Sequence, residues 1–154
     1  MDEKACQVWF YHLERSTLDA VIPELLERTL ARGWRALLRA SSQEMLEHLD
    51  RWLWTYRDDS FLAHGLEGEP AAPRQPILFT LGAENTNEAQ ALVLIEGAKA
   101  PELWGFERCM VIFDGRDDGA VVEARRAWAE FKQAGHDAAY WRQGESRGWV
   151  KQGA

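Results

Sequence analysis

Apolar residues along this chain switch between two periods, and the switches mark out its elements. "QVWFYHL" (Gln7–Leu13) is a run of strand formers and predicts a buried strand. "RSTLDAVIPELLERTLARG" follows with a Ser/Thr cap, an apolar stripe at the helical period and a closing Gly33, which predicts a helix. "WRALLRA" (Trp34–Ala40) reads as a short buried strand, and a second helix opens at Ser41 or Ser42. The segment Glu67–Pro76 holds three of the five prolines and reads as a surface connection. Beyond it, "ILFTL" (Ile77–Leu81), "ALVLIEG" (Ala91–Gly97) and "CMVIFDG" (Cys109–Gly115) are continuous apolar runs, the pattern of strands covered on both faces. A last long helix is expected over Asp117 to Ala134, ending at Gly135, with "DAAYWRQ" and "RGWVKQ" as a terminal strand or short hairpin.

Strand and helix therefore alternate almost throughout. The pattern predicts a single α/β domain over residues 1–154, a three-layer sandwich with a mostly parallel central sheet and right-handed crossovers. In a helix that runs from about Ser42 into "LDRWLWTYRDDSFLAHGL" (Leu49–Leu66), the apolar positions Met45, Leu46, Leu49, Trp52, Leu53 and Tyr56 share one stripe. Trp54 lies about 140° from the middle of that stripe. A helix that buries Trp52 must turn Trp54 outward, where so large an aromatic needs a partner of its own.

Charge narrows the range of functions. A formal net charge of −7 and a pI near 5.1 argue against a protein whose main affinity is for phosphate backbone, so contact with DNA is expected only indirectly. Cys6 and Cys109 stand far apart with no C-x-x-C pairing and read as reduced, buried thiols of a cytoplasmic protein. No apolar run approaches the ~18 residues of a membrane span, and Met-Asp-Glu-Lys does not open like a signal peptide; no membrane role is expected.

Candidate chemistry is sparse. The loop after the first strand, "LERST", has neither G-x-G-x-x-G nor G-x-x-x-x-G-K-[ST], so there is no phosphate-binding loop. Glu96 and Asp114 at adjacent strand ends, with Asp117 and Asp118, could hold Mg²⁺ in a nuclease or phosphoryl-transfer domain. Against that alternative, Asp117 and Asp118 fall in the first turn of a helix, where carboxylates stabilise the dipole, and Asp114 can cap the turn before it. The four histidines, 12, 48, 64 and 136, include no H-x-H or H-E-x-x-H pair, and Ser16 and Ser60 lack a nucleophile elbow. No catalytic residue and no cofactor is expected. On the last helix, Arg125 and Lys132 stand two turns apart with Trp128 between them. Together they could grip a carboxylate beside an apolar side chain, unless they are only a solvated helix edge.

Over nearly its full length the sequence resembles the chi subunit of bacterial DNA polymerase III holoenzyme. The resemblance rests on "FYHL", "ARGWRALLRA", "LDRWLWTYRDDSFLAHGL", "FERCMVIFDGRD" and "AWAEFKQAGHDAAYW". Ala63 stands where the family pattern has proline. The resemblance implies a Rossmann-like fold without the phosphate loop, and a non-catalytic adaptor of the replication machinery. Its partners would be the acidic C-terminal tail of single-stranded-DNA-binding protein and the psi subunit of the clamp loader or, in some bacteria, a helicase. Carried onto this chain, it implies the tail at Arg125, with Trp128 and Lys132 on the same border, and psi or the helicase at Trp54 and Phe61.

Overall fold

The computed structural model describes residues 5–56, 62–100, 102–144 and 148–152. Its elements in chain order are β1 (Gln7–Leu13), α1 (Leu18–Ala31), β2 (Ala36–Arg39), α2 (Gln43–Thr55), β3 (His64–Leu66), β4 (Ile77–Thr80), β5 (Ala91–Leu94), β6 (Arg108–Asp114), α3 (Asp118–Gln133), β7 (Asp137–Gln143) and β8 (Trp149–Lys151). The strands form one sheet in the order β3-β4-β2-β5-β6-β1-β7-β8. Every pairing is parallel except that of β8, which returns antiparallel along β7.

The alternation along each strand feeds two cores. On one face Leu13, Leu38, Phe79, Val93 and Ile112 meet the buried stripes of α1 and α2, among them Ile22, Leu26, Leu49 and Leu53. On the other, Val8, Phe10, Leu37, Leu92 and Cys109 meet Ala124 and Phe131 of α3. Helices on both faces of a parallel sheet give the three layers that the continuous apolar runs require.

Where α3 does not reach, connecting loops cover the second face, and polar side chains hold them. Arg39 is 5% exposed and donates to the carbonyls of Lys99 (2.9 Å) and Ala83 (3.3 Å). The buried amide of Asn87 donates to the carbonyls of Ala36 (3.1 Å) and Gln75 (3.0 Å). Such groups answer carbonyls that would otherwise be buried unpaired.

The helices are capped as their sequences suggest. Thr17, Ser42 and Asp117 each accept from a backbone N–H in the first turn of α1, α2 and α3 respectively. Half-buried tryptophans line the α1 side of the sheet: the Arg108 guanidinium lies 3.6 Å from the ring centre of Trp9, and Trp9 leans on Trp141 at 5.3 Å. A guanidinium over an indole is held by the ring quadrupole.

Two expectations change. The ladder of β5 stops at Leu94 rather than running to Gly97, because Glu96 takes a left-handed φ of 59°. His64–Leu66, given no element from the sequence, is a parallel edge strand on β4.

Candidate functional site

Helix α3 crosses the second face of the sheet over β6 and β7, starting at the Asp117 cap. Its Ala124 and Phe131 are buried, Ala127 and Trp128 are half-buried, and Ala134, just past the helix end, is exposed. Between the helix and the sheet lies a hollow of about 300 Å³ lined by Phe10, Phe113, Val121, Ala124, Arg125, Trp128 and Tyr140. Trp128 forms one wall, 5.4 Å from Phe10 and 6.2 Å edge-on to Tyr140. Arg125 is exposed at the rim, and among the described residues it forms no ion pair. The structure thus brings Arg125 and Trp128 to one apolar hollow. Lys132 lies outside that lining, with Nζ 6.0 Å from the Trp128 ring centre.

The far wall of the hollow was not named in the sequence reading. Tyr140 comes from β7, and its hydroxyl shares a hydrogen bond with Nδ1 of His12 on β1. His12 is also stacked edge-on to Phe113, ring centres 5.1 Å apart. Burial lowers the pKa of His12, with Arg142 adding to the effect, while burial raises that of Tyr140. A neutral pair is therefore favoured behind the wall. Gly115 fits this packing closely: a Cβ built there would stand 1.8 Å from His12 Nε2.

The loop after β1 is where a dinucleotide-binding fold would hold phosphate on backbone N–H groups. Here the side-chain oxygen of Gln143 takes that place. It accepts from the N–H groups of Glu14 (2.8 Å), Arg15 (2.7 Å) and Ser16 (3.1 Å), while the amide nitrogen donates to Ser16 Oγ at 2.7 Å. Three convergent donors are satisfied from within the chain.

The acidic groups at the strand ends have separate occupations. Glu96 accepts from Ser41 N–H (3.0 Å) and from the Ser42 hydroxyl (2.9 Å to one oxygen). Asp114 accepts from the backbone N–H (2.9 Å) and Nε (2.8 Å) of Arg116, bonds that hold its carboxyl below the usual range. Asp117 caps α3, accepting from Gly119 N–H at 2.9 Å. Glu96, Asp114 and Asp117 line a larger cavity of about 1030 Å³ beside α3. Among the described residues, no three His, Cys, Asp or Glu side chains group as metal ligands would.

Trp54 lies on the opposite sheet face, on the last turn of α2, with 52% of its surface exposed. The ring rests on His64, centres 4.5 Å apart. Phe61, expected beside it, lies outside the described residues. Among the described residues no helix is long and apolar enough to cross a membrane.

Residues 6–139 match the family described as DNA polymerase III chi subunit, HolC. A relative in Rickettsia prowazekii (strain Madrid E), named "Probable DNA polymerase III subunit chi", is 29% identical over 89 residues, or 58% of this chain. The chain thus spans about half of that relative's length, 54%. The match over residues 6–139, with the α/β sandwich, settles the family: the chain belongs to the DNA polymerase III chi subunits, accessory rather than catalytic subunits of that polymerase.

Proposed function

We propose that this protein is a non-catalytic, cytoplasmic adaptor of DNA replication that links the C-terminal tail of single-stranded-DNA-binding protein to the clamp loader. The tail occupies the hollow beside α3, with its terminal carboxylate on Arg125 and its apolar side chain against Trp128. Lys132 adds attraction for the acidic residues that precede the terminus. The observation that carries this reading is the rim guanidinium of Arg125, which forms no ion pair among the described residues, over an apolar hollow of about 300 Å³. A fork of N–H donors beside an apolar recess suits a free carboxyl terminus. At a second surface Trp54, with Phe61, meets the psi subunit or a helicase, as an exposed aromatic at the centre of an interface would. DNA is reached only through these partners, and no cofactor takes part.

Calorimetry with a short acidic peptide ending in a free, hydrophobic carboxyl terminus tests the first surface. A hydrogen bond to a charged group contributes ~1.5–3 kcal/mol, so Arg125→Ala should weaken binding about ten-fold or more while the fold is kept. Amidating the peptide should have a comparable effect. Equal affinity for the mutant, or indifference to amidation, refutes the assignment.

A further inference from the structure

We propose that His64 and Asp50 form the positioning pair that presents Trp54 as a fixed anchor to its partner chain, an inference that rests on the reading of the Trp54 surface given above. His64 opens β3, and its side chain is 0% exposed. Its Nδ1 lies 2.7 Å from the Leu62 carbonyl. Its Nε2 lies 3.1 Å from the Asp50 carbonyl and 3.0 Å from the Asp50 carboxylate. Polar partners at both nitrogens fix the ring against rotation as well as translation.

The geometry couples this ring to the indole above it. Asp50 and Trp54 are one turn apart on α2, so they project from the same side of the helix. The residue that grips His64 therefore also sets the phase of the ring that lies on it. The imidazole packs against both Trp54, at 4.5 Å, and Phe79, at 5.5 Å, each ring tilted to it. Phe79 is fully buried and Trp54 is 52% exposed, so the stack runs from the core to the surface in three rings. A tryptophan near a helix end without such support would sample several rotamers, and ordering it on binding would reduce affinity. Seated on His64, it meets a partner already in place. The surface it offers is an indole face, and the matching partner element is an apolar segment of psi.

The experiment labels the protein with 5-fluorotryptophan, assigns the Trp54 resonance with Trp54→Phe, and measures affinity for purified psi subunit. In Asp50→Asn, which keeps the fold because Asp50 is partly exposed, and in His64→Gln, the Trp54 resonance should move and broaden. Psi binding should weaken about ten-fold, in line with the loss of a preorganised anchor. Affinity for the tail peptide at Arg125 should be unchanged. If Trp54→Ala loses psi while Asp50→Asn and His64→Gln keep either the resonance or the affinity, the positioning pair alone is overturned. If Trp54→Ala still binds psi, the surface reading falls and this inference falls with it.

Discussion

The indole N–H of Trp52 donates to the backbone carbonyl of Asp19 at 2.7 Å. That carbonyl lies four residues before Pro23, inside α1, and proline has no N–H with which to complete the helical bond. The second helix thus supplies the donor that the first one lacks. His48 adds a bond to the Asp19 carboxylate at 2.8 Å, and the Tyr56 hydroxyl donates to Glu27 one turn further along.

Trp52→Phe should therefore destabilise the protein beyond its loss of contact area, because a carbonyl is left unpaired, at about 1–3 kcal/mol. For a chain of this size that is a fall of roughly 2–10 °C in Tm. In the double variant with Pro23→Ala, which restores the helical N–H, the penalty should shrink. A double-mutant cycle read by thermal melting would find strict additivity if the carbonyl were not the link.

Gly115→Ala should disturb the proposed tail site from behind. The new methyl cannot share space with His12, whose ring is fixed by Tyr140 and Phe113. Overpacking of this kind costs about 1–3 kcal/mol. The displaced His12 should shift Tyr140 and weaken tail-peptide binding with Arg125 untouched. Unaltered peptide affinity in a destabilised variant would separate His12 from the hollow.

Gln143→Ala should expose the three N–H donors of the loop after β1. Such convergent amides attract anions, so millimolar phosphate or sulfate should raise the Tm of this variant and leave that of the wild type little changed. No difference between the two in a thermal-shift titration would mean that water alone satisfies the loop.

Acid should act through His136 in a definite direction. Burial lowers its pKa below the ordinary 6.5, and its Nδ1 accepts from the Cys6 N–H at 3.1 Å, which requires an unprotonated nitrogen. The unfolded chain takes up the proton first, so this contribution is complete above about pH 6.5 and is lost as the pH falls toward the lowered folded value. His136→Asn, which keeps an acceptor, should flatten the slope of Tm against pH between about 7 and 5. A slope identical to wild type would refute the linkage.

What could be read from the sequence followed local pattern. β1 spans Gln7–Leu13, as its run of strand formers suggests, and Ser42 caps α2, as its position before the amphipathic stripe suggests. Trp54 stands off that stripe and is exposed. His64–Leu66 escaped because a three-residue strand carries no periodicity; its pairing with β4 supplies the conformation. The walls of the hollow escaped for a different reason. Phe113 belongs to a strand buried along both faces and Tyr140 to a half-buried one, and nothing in the sequence tells which of their residues border a helix. Gln143 and Ser16 meet across 127 residues of chain, a contact that only the parallel pairing of β1 with β7 creates.

The order of the strands sets how the two surfaces relate. Trp54 projects from α2 beside β3, at one margin of the sheet, whereas the hollow with Arg125 lies under α3 over β6 and β7, on the other face. At about 4.8 Å per strand, four to six steps across the sheet separate them by roughly 20–30 Å. The intervening strands β4, β2 and β5 are buried along their whole length, and close-packed interiors resist rearrangement. Occupancy at one end should therefore be thermodynamically silent at the other, with a coupling free energy near zero. On the proposed function the molecule would be a stiff ruler, holding two partners a fixed distance apart and letting each come and go on its own timetable.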